Sequence, residues 1–119
     1  MLGEFILSLL HAATNVHILH LRSRSYAEHK ALEELYVALP DLVDAVVEAI
    51  QGLTGELIEY PTTYYTPAPT GLEEVQGLQQ FVATHRYNPE IPQATEVQNL
   101  IDEIASQIDS TLYKLTFLK

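Results

Sequence analysis

His29, Glu33, Asp44 and Glu48 fall at offsets of 0, 4, 15 and 19, and on a helix turning about 100° per residue such positions project onto one face. Imidazole nitrogens and carboxylate oxygens grouped in this way are donors for a divalent transition metal. His29 with Glu33, and Asp44 with Glu48, are i,i+4 pairs, so each pair presents two ligands together. The helical rise then separates the pairs: at 1.5 Å per residue, His29 and Asp44 stand roughly 22 Å apart along one straight helix. A single chain cannot close a site from all four. A two-fold dimer with antiparallel second helices can, by setting His29 and Glu33 of one protomer against the partner's Asp44 and Glu48. His17 precedes His29 by twelve residues and His20 is its i,i+3 neighbour, so either imidazole is a further ligand or supports one. The expected product is a sulfur-free iron centre, in which Glu33, Asp44 and Glu48 bridge the metals and the histidines add neutral donors. The plainer reading of the same acids is the solvent-facing side of an acidic amphipathic helix.

Composition narrows the chemistry. The 119 residues include no cysteine, which excludes disulfides, thiolate metal sites and cysteine nucleophiles. Sixteen acids against six Lys plus Arg give a net charge of -10, a surface that repels DNA and anionic membranes. Arg22, Arg24 and Lys30 form the one dense basic cluster, too few charges to indicate nucleic-acid recognition. No apolar run is expected to reach the roughly 20 residues of a bilayer-spanning helix, and no secretory pattern opens the chain.

These groups need helices to hold them. Phe5, Ile6, Leu9, Leu10, Ala13 and Val16 recur at three- and four-residue spacing, predicting a helix from Leu2 to about Leu21. Ser25 followed by Glu28 has the form of a capping box and opens a second helix to about Gln51, ended by Gly52 and Gly55. Pro40 interrupts it. The apolar period of Leu35, Leu39, Val43, Val46 and Ile50 continues across the proline, which favours one bent helix over two in sequence.

Residues 53–69, rich in Pro, Thr and Tyr, read as a long crossover, with a short strand near Leu57 to Tyr60 as a weak option. Thr70 with Glu73 caps a third helix to about His85, and Asn88-Pro89 stops it. Pro92 suits an early position of a fourth helix carrying Val97, Ile101, Ile104, Ile108, Leu112 and Leu115. The expected fold is all-α, one domain over 1–119: a ferritin-like four-helix bundle with a crossover between helices 2 and 3, an up-down-up-down bundle being the competing arrangement.

The stretch from His17-Ile18-Leu19-His20-Leu21 through Ser25-Tyr26-Ala27-Glu28-His29-Lys30-Ala31-Leu32-Glu33 resembles the Dps-type mini-ferritins, and especially small ferritin-like proteins encoded by tailed bacteriophages. The resemblance covers about the first half of the chain. It implies a di-iron ferroxidase centre between two-fold-related subunits, mapped onto His17, His29, Glu33, Asp44 and Glu48. It also implies a homo-oligomer located in the host cytoplasm or the virion. The family's His-Trp dipeptide corresponds to His20-Leu21 here, and the lysine-rich tail of DNA-binding members has no counterpart. Two functions follow as expectations. One is Fe(II) binding and oxidation at an intersubunit site; the other is a phage virion structural or assembly protein that uses the helical scaffold without catalysis.

Overall fold

The computed structural model describes residues 1–119 as four α-helices and no strand: α1 (Leu2–Arg22), α2 (Tyr26–Thr54), α3 (Gly71–His85) and α4 (Thr95–Phe117). Both capping residues read from the sequence act as such. The Ser25 hydroxyl accepts the Glu28 N–H at 3.3 Å and the Thr70 hydroxyl accepts the Glu73 N–H at 3.2 Å, each satisfying a donor the first helical turn leaves free.

α2 passes through Pro40 without a break. Proline there removes the hydrogen bond that the Tyr36 carbonyl would accept. Pro40 lies on the exposed face, while Leu35, Leu39, Val43, Val46 and Ile50 are buried on the other, and that packing keeps the helix continuous. Its 29 residues correspond to about 43 Å at the usual rise, so α2 runs nearly the full 45 Å length of the molecule.

α2 ends later than Gly52 predicts. Gly52 is helical, and the stop is Gly55, whose φ of 73° is the left-handed conformation that glycine adopts without steric cost and whose N–H caps the Gln51 carbonyl.

Helix directions follow from contacts along the connections. The crossover leaves α2 beside Gly3 at the start of α1, where Glu59 and Pro61 pack. It meets His11 and Asn15 halfway along α1 through Tyr65. It delivers Gly71 against Leu32 and Glu28 at the start of α2. The crossover therefore spans the bundle, and α2 and α3 run parallel. α4 returns from the Met1 end to the Glu34 end, where Lys114 pairs with Glu34. α1 packs on α2 and α3, and α4 packs on the same two helices, enclosing one core built from Phe5, Leu9, Leu35, Leu39, Ile101, Ile104 and their neighbours.

Three local expectations are corrected. No strand forms near Leu57 to Tyr60, because nothing extended lies alongside to pair with it; the Ile58 N–H donates to the Gln51 side chain at 3.0 Å instead. Pro92 lies outside α4, which begins at Thr95. The reason is the turn before it: Gln98 Nε2 donates to the carbonyls of Arg86 and Pro92, both at 3.1 Å, and Arg86 Nε donates to Gln98 Oε1 at 3.0 Å, which fixes this connection as a non-helical loop. Finally, α1 is long and apolar enough to cross a bilayer by length and composition. Between Leu2 and Leu21 the one acid, lysine or arginine is Glu4, and the stripe of Phe5, Ile6, Leu9, Val16 and Leu19 is buried against the other helices.

Candidate metal centre

The turn between α1 and α2 brings two histidines face to face. Ser23 bridges this turn, its hydroxyl donating to the Ser25 carbonyl at 3.0 Å and accepting the Ser25 N–H at 3.2 Å, while its own N–H caps the His20 carbonyl at 3.3 Å. His20 Nδ1 then lies 2.6 Å from the His29 carbonyl oxygen, and His29 Nδ1 lies 2.9 Å from the His20 carbonyl oxygen. The rings stack with centroids 3.6 Å apart and planes 19° apart.

A carbonyl oxygen only accepts, so each Nδ1 carries the proton and donates. In the neutral imidazole this leaves the lone pair on Nε2, the tautomer that binds a metal while the other nitrogen is held by a hydrogen bond. His20 is buried and His29 half-buried, so both rings are fixed in orientation.

Glu33 stands one turn after His29 on α2. One ligand atom from each of His20, His29 and Glu33 lies within 4.8 Å of the others. The Glu33 carboxylate accepts from the Lys30 ammonium at 2.8 Å. That hydrogen bond is the main cause holding the Glu33 carboxyl below the usual carboxylate range, partial desolvation opposes it, and the positive charge of Lys30 adds to the lowering.

Two nitrogens and one carboxylate oxygen suit a borderline divalent transition metal. This set of two histidines and one carboxylate with further positions open is an arrangement that holds Fe(II), whereas Ca²⁺ and Mg²⁺ call for oxygen ligands.

The remaining sequence candidates lie apart from this cluster. His17 is exposed, its ring flat against Tyr36 with centroids 4.0 Å apart and planes 5° apart, and it stands 5.9 Å from the His20 ring. Tyr36 also tilts over His20 at 5.0 Å, so it packs between the cluster and His17. Spacing alone does not single out Tyr36, although its i,i+3 relation to Glu33 places it on the same helix face. Asp44 and Glu48 are exposed on the far half of α2, and no fold of the single chain brings them to His29. The larger surface clefts are lined by other residues: a 350 Å³ groove by Gln79, Arg86, Ala105 and Asp109, and a 560 Å³ cleft by Met1, Ile50, Leu57 and Glu90. His20, His29 and Glu33 thus offer donor atoms for an ion outside any of these chambers.

Residues 20–115 match the model of a family described as "family of unknown function (DUF5856)". The matched region takes in His20, His29, Glu33, Asp44 and Glu48 but not His17. The chain is also similar to an "uncharacterized 14.6 kDa protein in mobD-ri intergenic region" of Enterobacteria phage T4, 25% identical over 114 residues, covering 95% of this chain and 86% of the phage protein. No solved structure matches the chain. With the family match extending over α2, α3 and most of α4, the chain belongs to the family DUF5856.

Proposed function

We propose that this protein binds Fe(II) through His20, His29 and Glu33 and oxidises it, with oxygen or peroxide as oxidant, once a two-fold-related copy adds its Asp44 and Glu48. The observation that carries this reading is the reciprocal pair of Nδ1 hydrogen bonds from His20 and His29 to each other's carbonyl, which leaves both Nε2 lone pairs free in a cluster where one ligand atom of each ring and of Glu33 lie within 4.8 Å of one another. Fixing one imidazole nitrogen on a carbonyl is how metal-binding histidines are commonly oriented.

The parallel α2 and α3, joined by a full-length crossover, support a ferritin-like reading of the bundle. In this account Fe(II) is the substrate. Glu33, Asp44 and Glu48 bridge and stabilise the charge that develops on oxidation, and the surplus of acids draws cations to the surface. His17 sits at the rim, stacked on Tyr36. The functional unit is a homo-oligomer, at least a two-fold dimer, acting in a phage-infected host cytoplasm or in a virion.

A non-catalytic phage structural or assembly role is the second reading, favoured by the phage relative and by the exposed, mutually packed Tyr113 and Phe117.

Anaerobic Fe(II) titration followed by oxygen or peroxide tests the proposal. The expected result is stoichiometric binding lost in H29A/E33A, with oxidation impaired in both that variant and D44A/E48A. Wild-type oxidation rates in both variants would reject it in favour of the structural role.

A further inference from the structure

A third histidine uses its ring in the opposite sense. The crossover from Gly55 to Thr70 lies along α1 as a strap, and between Ile58 and Ala68 its only hydrogen bonds to the helices are two at Tyr65. Asn15 Nδ2 donates to the Tyr65 carbonyl at 3.1 Å. The Tyr65 N–H donates to His11 Nδ1 at 3.2 Å. An amide N–H only donates, so His11 Nδ1 must keep its lone pair and the ring must be neutral with its proton on Nε2. A protonated imidazole carries N–H at both nitrogens and would set one donor against another. His20 and His29 face carbonyls and tolerate a second proton; His11 faces an amide and does not.

We propose that His11 is an acid-sensitive latch: its protonation breaks the bond to the Tyr65 amide and frees the middle of the strap from α1. The groups facing His11 are the rings of Tyr64 and Tyr65 from the strap, at centroid distances of 5.7 and 5.3 Å. No charged residue lies within four positions of it on α1. Glu74 of α3 engages the strap three residues further on, accepting the Ala68 N–H at 2.9 Å. None of the chain's ion pairs joins a carboxylate to His11. Tyr65 and Thr66 form one side of an open groove of about 220 Å³ whose other sides include Ser8, Asn15, Glu74, Leu78 and Phe81, so opening the strap would remove that side. Histidine is the ordinary side chain that changes charge between about pH 5 and 8, the range over which the latch is tested.

The test is NMR on the full-length protein. Long-range ¹H–¹⁵N correlations at pH 8 report each imidazole tautomer; the expected result is the Nε2–H form for His11 and the Nδ1–H form for His20 and His29. Amide-exchange protection factors, corrected for intrinsic rates, are then followed from pH 8 to pH 5. Protection at Tyr65 should fall by about tenfold per pH unit once His11 begins to titrate, while core amides such as that of Ile104 keep theirs. In His11→Asn the side-chain oxygen occupies the Nδ1 position as a non-titrating acceptor, so Tyr65 should stay protected throughout. An Nδ1–H tautomer at His11, unchanged Tyr65 protection down to pH 5, or an equal fall in His11→Asn would each overturn the latch. If His11→Asn does not fold, the wild-type tautomer and the coincidence of the His11 titration with the loss of Tyr65 protection decide alone.

Discussion

His20 and His29 lock the first helical hairpin by donating to each other's backbone carbonyl across the Ser23–Ser25 turn. The Nδ1 atoms serve the fold and the Nε2 atoms are left for an ion, so the two roles can be separated by substitution. His29→Asn places an amide N–H near the Nδ1 position and has no counterpart of Nε2. It is expected to keep stability within about 1 kcal/mol of wild type, whereas His29→Ala loses a part-buried hydrogen bond as well as the stacked ring and should cost about 1–3 kcal/mol. Urea unfolding of the two variants measures the difference.

Gly3 and Gly77 are both helical glycines with opposite surroundings. A Cβ on Gly3 would overlap the Glu59 carbonyl oxygen and stand 3.1 Å from its carbon, whereas a Cβ on Gly77 meets nothing within 4 Å. Alanine improves helix propensity at both positions. Gly77→Ala is expected to stabilise by about 0.5–1 kcal/mol, and Gly3→Ala to destabilise by about 1–3 kcal/mol as the crossover is pushed off α1. Chemical denaturation with unchanged m-values checks both signs.

Glu74 gives a pH-dependent prediction. Desolvation raises its carboxyl above the ordinary value, and the hydrogen bond from the Ala68 N–H only partly offsets this. A raised folded-state value means the protonated form favours folding: the contribution is complete below about pH 4.5 and is lost as pH rises through the folded-state value. At neutral pH the charged side chain is therefore a burden. Glu74→Gln, which keeps an acceptor for Ala68, should raise Tm by about 2–4 °C at pH 7, and the gain should vanish below pH 4.5. Thermal melts at the two pH values test the sign.

If Glu33 binds a metal as proposed, Lys30 competes for its carboxylate. Its ammonium donates to the carboxylate, and that hydrogen bond holds Lys30 above its ordinary range just as it holds Glu33 below. Exposed ion pairs are weak, so Lys30→Ala should tighten metal binding modestly, by about two- to fivefold. Calorimetric titration with Fe(II) under argon measures it; weaker binding would place Lys30 in support of the site instead.

Much of this architecture is legible in local pattern. Ser25 and Thr70 mark helix starts because a side-chain oxygen three residues before a free N–H needs no tertiary partner to act. The stripe from Leu35 to Ile50 outweighs Pro40 because burial on one face is repeated every turn. The ends of α2 and α4 are less legible. Gly52 resembles a stop as much as Gly55 does, and Pro92 resembles a start, until the φ of Gly55 and the Gln98 hydrogen bonds decide.

The site divides in the same way. His29 and Glu33 are one helical turn apart and pair by spacing alone. His20 joins them only through the path of the Ser23–Ser25 turn, and the flat stack of His17 on Tyr36 depends on how α1 lies over α2. Which ring nitrogen is free is decided by two carbonyls nine residues apart in sequence.

The most direct measurement is anomalous diffraction at the iron edge from crystals grown with Fe(II) under argon. The account predicts a peak bounded by His20 Nε2, His29 Nε2 and a Glu33 oxygen, absent in His29→Asn. Saturating iron with no peak at these three residues, or an undiminished peak in His29→Asn, would contradict it.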